Sequence, residues 1–132
     1  MKEQTLALIK PDAVQKRSYG RIIQDILQAG FDIVGMNMLQ LSREKAESFY
    51  AVHKEKEFYG PLVEFMISGP VIALVLEKGN AVAEFRVLMG KTDAALAEEG
   101  TLRHKYGENN RRNAVHGSDS PENAKKEIAF FF

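Results

Sequence analysis

The sequence predicts a single α/β domain, and three observations lead there. Strand-like and helix-like segments alternate from end to end, the order that lays helices on a sheet. Val71-Ile-Ala-Leu-Val-Leu76 is an unbroken apolar run of six residues, the pattern of a strand buried on both faces. No linker, repeat or low-complexity stretch divides residues 1–132, a length that supports one domain with its own core. Element order by itself favours a parallel sheet.

The elements follow in sequence. Thr5–Ile9 reads as a strand, stopped by Pro11-Asp12. Tyr19, Ile22, Ile23, Ile26 and Leu27 recur at helical spacing, with Ser18 placed to cap the start and Gly30 to stop the end. Phe31–Leu41 forms a second strand. Ser42 opens a helix carrying Ala46, Phe49, Tyr50 and His53, and a short helix from Pro61 turns Leu62, Phe65 and Met66 inward until Gly69-Pro70. After the Val71–Leu76 strand, Asn80 can cap a helix bearing Val82, Phe85 and Met89. Residues 91–113 lack periodicity and read as a long ordered loop, and loops of that length are commonly functional. Ala114-Val115 is a short strand. Ser120 at the N-cap and Pro121 in the first turn start a last helix, with Ala124, Ile128 and Phe131 inward.

Composition excludes several classes of function. Eighteen Lys+Arg balance eighteen Asp+Glu, so no global field draws in nucleic acid or an anionic membrane, and any anion site must be a local cluster. With no cysteine there is no disulfide framework, thiolate metal site or thiol nucleophile. The apolar runs fall far short of the ~20 residues of a membrane span. Thr5–Ile9 is too brief for a signal-peptide core, so a soluble, cytoplasmic domain is expected.

Gly90-Lys91-Thr92 looks like the end of a phosphate-binding P-loop, but Phe85 stands where that motif needs glycine, and a helix precedes it. Neither a Gly-x-Gly-x-x-Gly fingerprint nor a His-Glu-x-x-His zinc motif occurs. The informative stretch is Arg112-Asn-Ala-Val-His-Gly-Ser-Asp-Ser-Pro121. A histidine at a strand end, released by glycine just before a helix start, suits phosphate chemistry because free backbone N–H groups point at the ligand. Neutral imidazole is a competent nucleophile once a partner fixes its tautomer, and Glu127 on the following helix is the candidate carboxylate. The bland alternative is a histidine that only finishes a turn.

Asn113-x-x-His116-Gly-Ser-Asp-Ser120 resembles the active-site signature of nucleoside diphosphate kinases. The likeness extends to Thr5-Leu-Ala-Leu-Ile-Lys-Pro-Asp12, Ser68-Gly-Pro70 and Gly100-Thr-Leu-Arg103, and so covers essentially the whole chain. It implies a ferredoxin-like α/β sandwich: a four-stranded antiparallel sheet with helices packed on it, the Ser42–Ser68 helical pair being an insertion between neighbouring strands. It also implies ping-pong phosphoryl transfer. A nucleoside triphosphate, typically ATP, would phosphorylate His116 on Nδ1, and the phosphohistidine would pass the group to a nucleoside diphosphate.

The resemblance assigns roles residue by residue. Glu127 orients His116, with Ser118 beside them; Lys10 contacts the migrating phosphoryl group and the ribose; Tyr50 lies near the histidine. Arg86 and Arg103 hold the distal phosphates and Thr92 donates a hydroxyl, charge-assisted bonds worth ~1.5–3 kcal/mol each. Phe58 stacks on the base with Leu62 alongside, and Asn113 bonds a ribose hydroxyl. Each has an ordinary structural alternative: a strand-end charge for Lys10, a snorkelling stem for Arg86, a core position for Tyr50. Mg²⁺ enters on the nucleotide phosphates, with Asp119 as an outer-sphere contact and no ligand set of the protein's own. His53 and His104 lack metal-ligand spacing. A homo-oligomer, tetramer or hexamer built from dimers, is implied, with no nucleic acid or membrane partner required.

The sequence departs from the family pattern at Ala94, where proline is usual, which is expected to loosen the start of the nucleotide loop. His104-Lys105 is expected to make that loop more basic. The alternatives to the kinase are a non-catalytic ferredoxin-like nucleotide-binding module and a phosphohydrolase that discharges the same phosphohistidine to water.

Overall fold

The computed structural model describes residues 2–132. Strand β1 (Lys2–Ile9) leads through α1 (Pro11–Gln15) and α2 (Tyr19–Gln28) to β2 (Asp32–Leu39). Helices α3 (Arg43–Phe49) and α4 (Tyr59–Met66) precede β3 (Val71–Gly79). Helix α5 (Ala81–Met89), α6 (Leu102–Tyr106), β4 (Val115–Gly117) and α7 (Pro121–Phe131) complete the chain, with single 3₁₀ turns at Ala51–His53 and Ala94–Leu96.

The sheet order is β2-β3-β1-β4 and every pairing is antiparallel. This is the ferredoxin-like sandwich, and it corrects the parallel sheet that element order favours. Strands β1 and β2, joined through helices, do run parallel, but β3 lies between them; β3 and β4 are likewise separated by β1. Alternating elements dictate the direction of such strands and say nothing about whether they touch.

Strands β1 and β3 are central and covered on both faces, which explains their near-continuous apolar sequence. One face packs Ile9, Leu74 and Leu76 against Ile22 and Ile26 of α2 and Phe85 and Met89 of α5. The other packs Leu6, Leu8 and Ala73 against Ala46, Val63, Phe65 and Met66, with Ile128 and Phe131 of α7 partly buried there. Each fully buried Leu, Ile, Phe or Met contributes ~1.5–3 kcal/mol, so two such layers suffice without staples.

Local signals held unevenly. Ser42 Oγ accepts from Lys45 N at 3.1 Å and Ser120 Oγ from Asn123 N at 3.1 Å, as their positions predict. Ser18 makes no capping bond, because it continues in αR geometry from the turn after α1. Asn80 sits in the left-handed region and also makes none; Glu3 Oε1 from β1 accepts from Val82 N at 2.9 Å instead. Leu27, expected on the inner stripe, is exposed. Pro11-Asp12 does not simply stop a strand, since Pro11 is the first residue of α1. Helix α4 begins at Tyr59, ahead of Pro61. Residues 91–113 contain α6, whose start is marked by Thr101 Oγ1 accepting from His104 N at 3.3 Å.

Candidate active site

The residues that close β1, open β4 and form the loop between α5 and β4 meet at one end of the sheet. With the turn between α3 and α4 they enclose a cleft of about 530 Å³, a size that suits a small-molecule ligand. Lys10, Tyr50, Phe58, Leu62, Arg86, Thr92, Arg103, Asn113, His116, Asp119 and Glu127 all line it. Ser118 is buried behind the wall.

His116 is set by strand pairing. It lies opposite Leu8 in the β1–β4 ladder, and so points to the same face as α3 and α7. Its Nε2 is 3.0 Å from Glu127 Oε1. An ionised carboxylate only accepts, so the proton sits on Nε2 and Nδ1 keeps its lone pair. Ser118 Oγ donates to the same Glu127 oxygen at 2.7 Å and accepts from Leu6 N at 3.4 Å, tying the carboxylate to β1. The Phe49 ring meets the imidazole edge-on with centroids 5.4 Å apart, closing its apolar side. Gly117 follows because a side chain has no room there: a Cβ would lie 2.7 Å from both Met89 Cε and Phe85 Cδ2.

Lys10 precedes proline, which holds its backbone extended and ends the strand. Its Nζ donates to Asn113 Oδ1 at 2.8 Å and to the Arg111 carbonyl at 2.9 Å. Burial pulls this ammonium down to about 8, opposed by Asp12 and assisted by Arg103 and Arg111. Asn113 spends both amide hydrogens on the carbonyls of Thr92 (2.9 Å) and Asn110 (3.3 Å), so toward a ligand only its oxygen is open. Arg103 forks to the carbonyls of Gly90 and Val115, each at 3.0 Å, and burial lowers it to about 10, with Arg86 adding to the effect. Burial raises the Tyr50 phenol, so it stays a neutral hydroxyl.

Ala114 has φ of 72°, and Val115 N donates across it to Asn113 O at 2.8 Å. This is a γ-turn of the rare positive-φ kind, in a residue that carries a Cβ. It directly precedes the strand that presents His116.

Phe58 sits at the mouth, 41% exposed, with the His53 ring 5.3 Å away and Lys56 Nζ 5.5 Å from its centroid. Sequence reasoning missed Arg111, whose guanidinium has no partner among the described residues and whose side chain lines the cleft beside Asn110. The basic pair Arg111-Arg112 just before Asn113 was the available signal. Arg112 differs, being paired with Glu108 at 3.1 Å. His104 and Lys105 do not line the cleft: His104 Nδ1 is 3.1 Å from the Ala97 carbonyl and Lys105 pairs with Asp25 at 2.6 Å. Ala94 is buried, and the turn it starts is capped by Asp93 Oδ1 accepting from Ala95 N at 3.0 Å.

A family model described as nucleoside diphosphate kinase matches residues 3–132. A nucleoside diphosphate kinase of Chlorobaculum tepidum is 55% identical over 130 residues, 98% of this chain and 93% of that one. The solved nucleoside diphosphate kinase of Aquifex aeolicus superposes with a TM-score of 0.98 at 43% identity, covering 100% of this chain and 96% of that one. A halophilic nucleoside diphosphate kinase from Halobacterium salinarum, solved in complex with CDP, gives 0.96 at 40% identity, over 100% and 88%.

Proposed function

This chain belongs to the nucleoside diphosphate kinase family and is an enzyme of that class, and we propose that it works in two steps through a phosphohistidine at His116. The observation that carries the mechanism is the Nε2–Glu127 contact at 3.0 Å, which leaves the Nδ1 lone pair on a residue lining the cleft. Nδ1 attacks the terminal phosphorus of a nucleoside triphosphate. The N–P bond forms as the bond to the bridging oxygen breaks, and the nucleoside diphosphate leaves with that electron pair. A terminal oxygen of a second diphosphate then attacks the phosphohistidine and returns Nδ1 to its free state.

Such transfer asks the protein for position and charge more than for covalent chemistry. Glu127 stabilises the cationic ring that forms on phosphorylation, and Ser118 holds Glu127. Lys10 and the neutral Tyr50 hydroxyl address the moving phosphoryl group. Arg86, Arg103 and Thr92 take the distal phosphates; Asn113 accepts from a ribose hydroxyl; Phe58 and Leu62 take the base face. Since every base has a π-face, broad base tolerance follows.

Among the described residues no three His, Asp or Glu side chains come together as a metal cage. The cleft's carboxylates are Glu127, engaged with His116, and Asp119, which accepts from Asn123 Nδ2 at 2.6 Å. That donor set fits Mg²⁺ carried on the nucleotide, which Asp119 would help hold from the outer sphere. When bound, the ion neutralises phosphate charge.

Homo-oligomerisation from dimers belongs to the same proposal, supported by the exposed apolar side chains of edge strand β2. So does a cytoplasmic location, which cell fractionation would check. Among the described residues, no helix is long and apolar enough to cross a membrane.

The decisive test is intact mass after brief mixing with Mg·ATP, then after adding GDP. One acid-labile phosphoryl group, discharged by GDP as GTP appears, is expected, and His116→Ala should lose both signals while still binding nucleotide. No adduct would favour the non-catalytic module. Decay to free phosphate without GDP would favour the hydrolase.

A further inference from the structure

The mechanism leaves one buried carboxylate unused. Asp12 is 1% exposed, in the first turn of α1. Its Oδ2 accepts from Ala114 N at 3.0 Å, across 102 residues of sequence, and its Oδ1 has no partner. The Ala114 carbonyl in turn accepts from Lys10 N at 2.8 Å. Both backbone polar groups of the positive-φ residue are therefore held by the Lys10-Pro11-Asp12 corner. Without those bonds, Ala114 would relax toward negative φ, since a side-chain-bearing residue is strained there. Relaxation would turn Asn113 and His116, on either side of it, away from each other.

We propose that Asp12 is a positioning residue for phosphoryl transfer, clamping the strained turn at Ala114 that sets Asn113, His116 and the Lys10 corner. The same carboxylate favours the charged form of Lys10. It touches neither nucleotide nor phosphohistidine and acts through Ala114 and Lys10. A carboxylate kept in the interior on a single hydrogen bond is costly, which a purely structural first-turn residue does not require. The charged groups acting on Lys10 are Asp12, Arg103 and Arg111, and Asp12 is the only anion among them. Removing it leaves two cations and burial all acting to strip the proton.

This inference rests on the transfer reading above, and phosphorylation of the wild-type protein tests that reading separately. Two substitutions test the inference. Asp12→Asn keeps an oxygen for the Ala114 N–H but removes the charge; Asp12→Ala removes both. For Asp12→Asn, the alkaline fall of kcat should move about one unit to lower pH, with most of the rate recovered on acidification. For Asp12→Ala, kcat should fall about tenfold or more at every pH, with KM changing less. The proposal is overturned by a wild-type pH profile in Asp12→Asn. Equal losses in both variants at all pH would overturn it too, as would an Asp12→Ala whose only change is a lower Tm. Failure of both variants to fold would make Asp12 a folding element and would also refute the positioning role.

Discussion

Lys10 is pulled in two directions by pH. Its ammonium, lowered by burial to about 8 from the 10.5 of an exposed lysine, must be charged to meet a phosphoryl group. Transfer should therefore decline as pH rises through about 8. Stability runs the other way. Between about 8 and 10.5 the unfolded chain binds more protons than the folded one, so stability rises with pH. The unfavourable contribution is fully present below about 8 and vanishes above 10.5. Unfolding measured against Lys10→Met should show the variant's relative advantage shrinking across that window; an advantage that grows would contradict the buried-lysine account. Phe58 allows a second check at this scale. Phe58→Ala should weaken purine and pyrimidine nucleotides alike, by about 1–3 kcal/mol, in titration calorimetry. Loss confined to one base would show that edge contacts matter more than stacking. Short motifs pointed to Lys10, Arg103, Asn113 and His116, and the family resemblance to Tyr50, Phe58, Arg86 and Thr92, all of which line the cleft. Asp12, Ala114 and Arg111 were not legible, since their importance lies in what they meet across the fold.

Strand β4 shows how one element governs the site. It has only three residues, and it is held by β1 on one side and by α5 beneath Gly117. Phe85 is fully buried, and a Cβ at Gly117 would lie 2.7 Å from its ring. Gly117→Ala should therefore lift the strand, costing about 1–3 kcal/mol in thermal unfolding. Transfer should drop up to about a hundredfold as His116 is displaced. An alanine variant with native Tm and kcat would show that Met89 and Phe85 can give way. Caps tell the same story about legibility. Ser42 and Ser120 bond within their own helices and could be read locally. The cap of α5 comes from Glu3, 79 residues away in sequence, and no local pattern points to it. Helix α6 was missed because its five residues are too few to show a period, although Thr101 and Gly107 bracket it.

The whole molecule leaves one side unfinished. Met36 and Met38 lie opposite Leu74 and Ile72, on the α2 side of the sheet, and are 61% and 51% exposed. Leu27 of α2 and Val34 of β2 are exposed as well. An uncovered apolar edge strand invites pairing, and a second copy of this chain is the partner the proposed assembly supplies. Met36→Lys combined with Met38→Glu should reduce the mass measured by light scattering while the secondary structure stays intact. Unchanged mass would place the subunit contacts elsewhere.

The sequence by itself determined most of the elements, the burial of β3 on both faces and, through its family resemblance, which histidine and carboxylate are proposed to react. Those features are written in local periodicity and short motifs, where neighbouring residues suffice. Only the tertiary structure decided which strands touch, which oxygen caps α5, and that a carboxylate from the first corner holds the strained turn before His116. Each of those depends on pairing between residues far apart in the chain, selected by the burial of two opposite sheet faces at once.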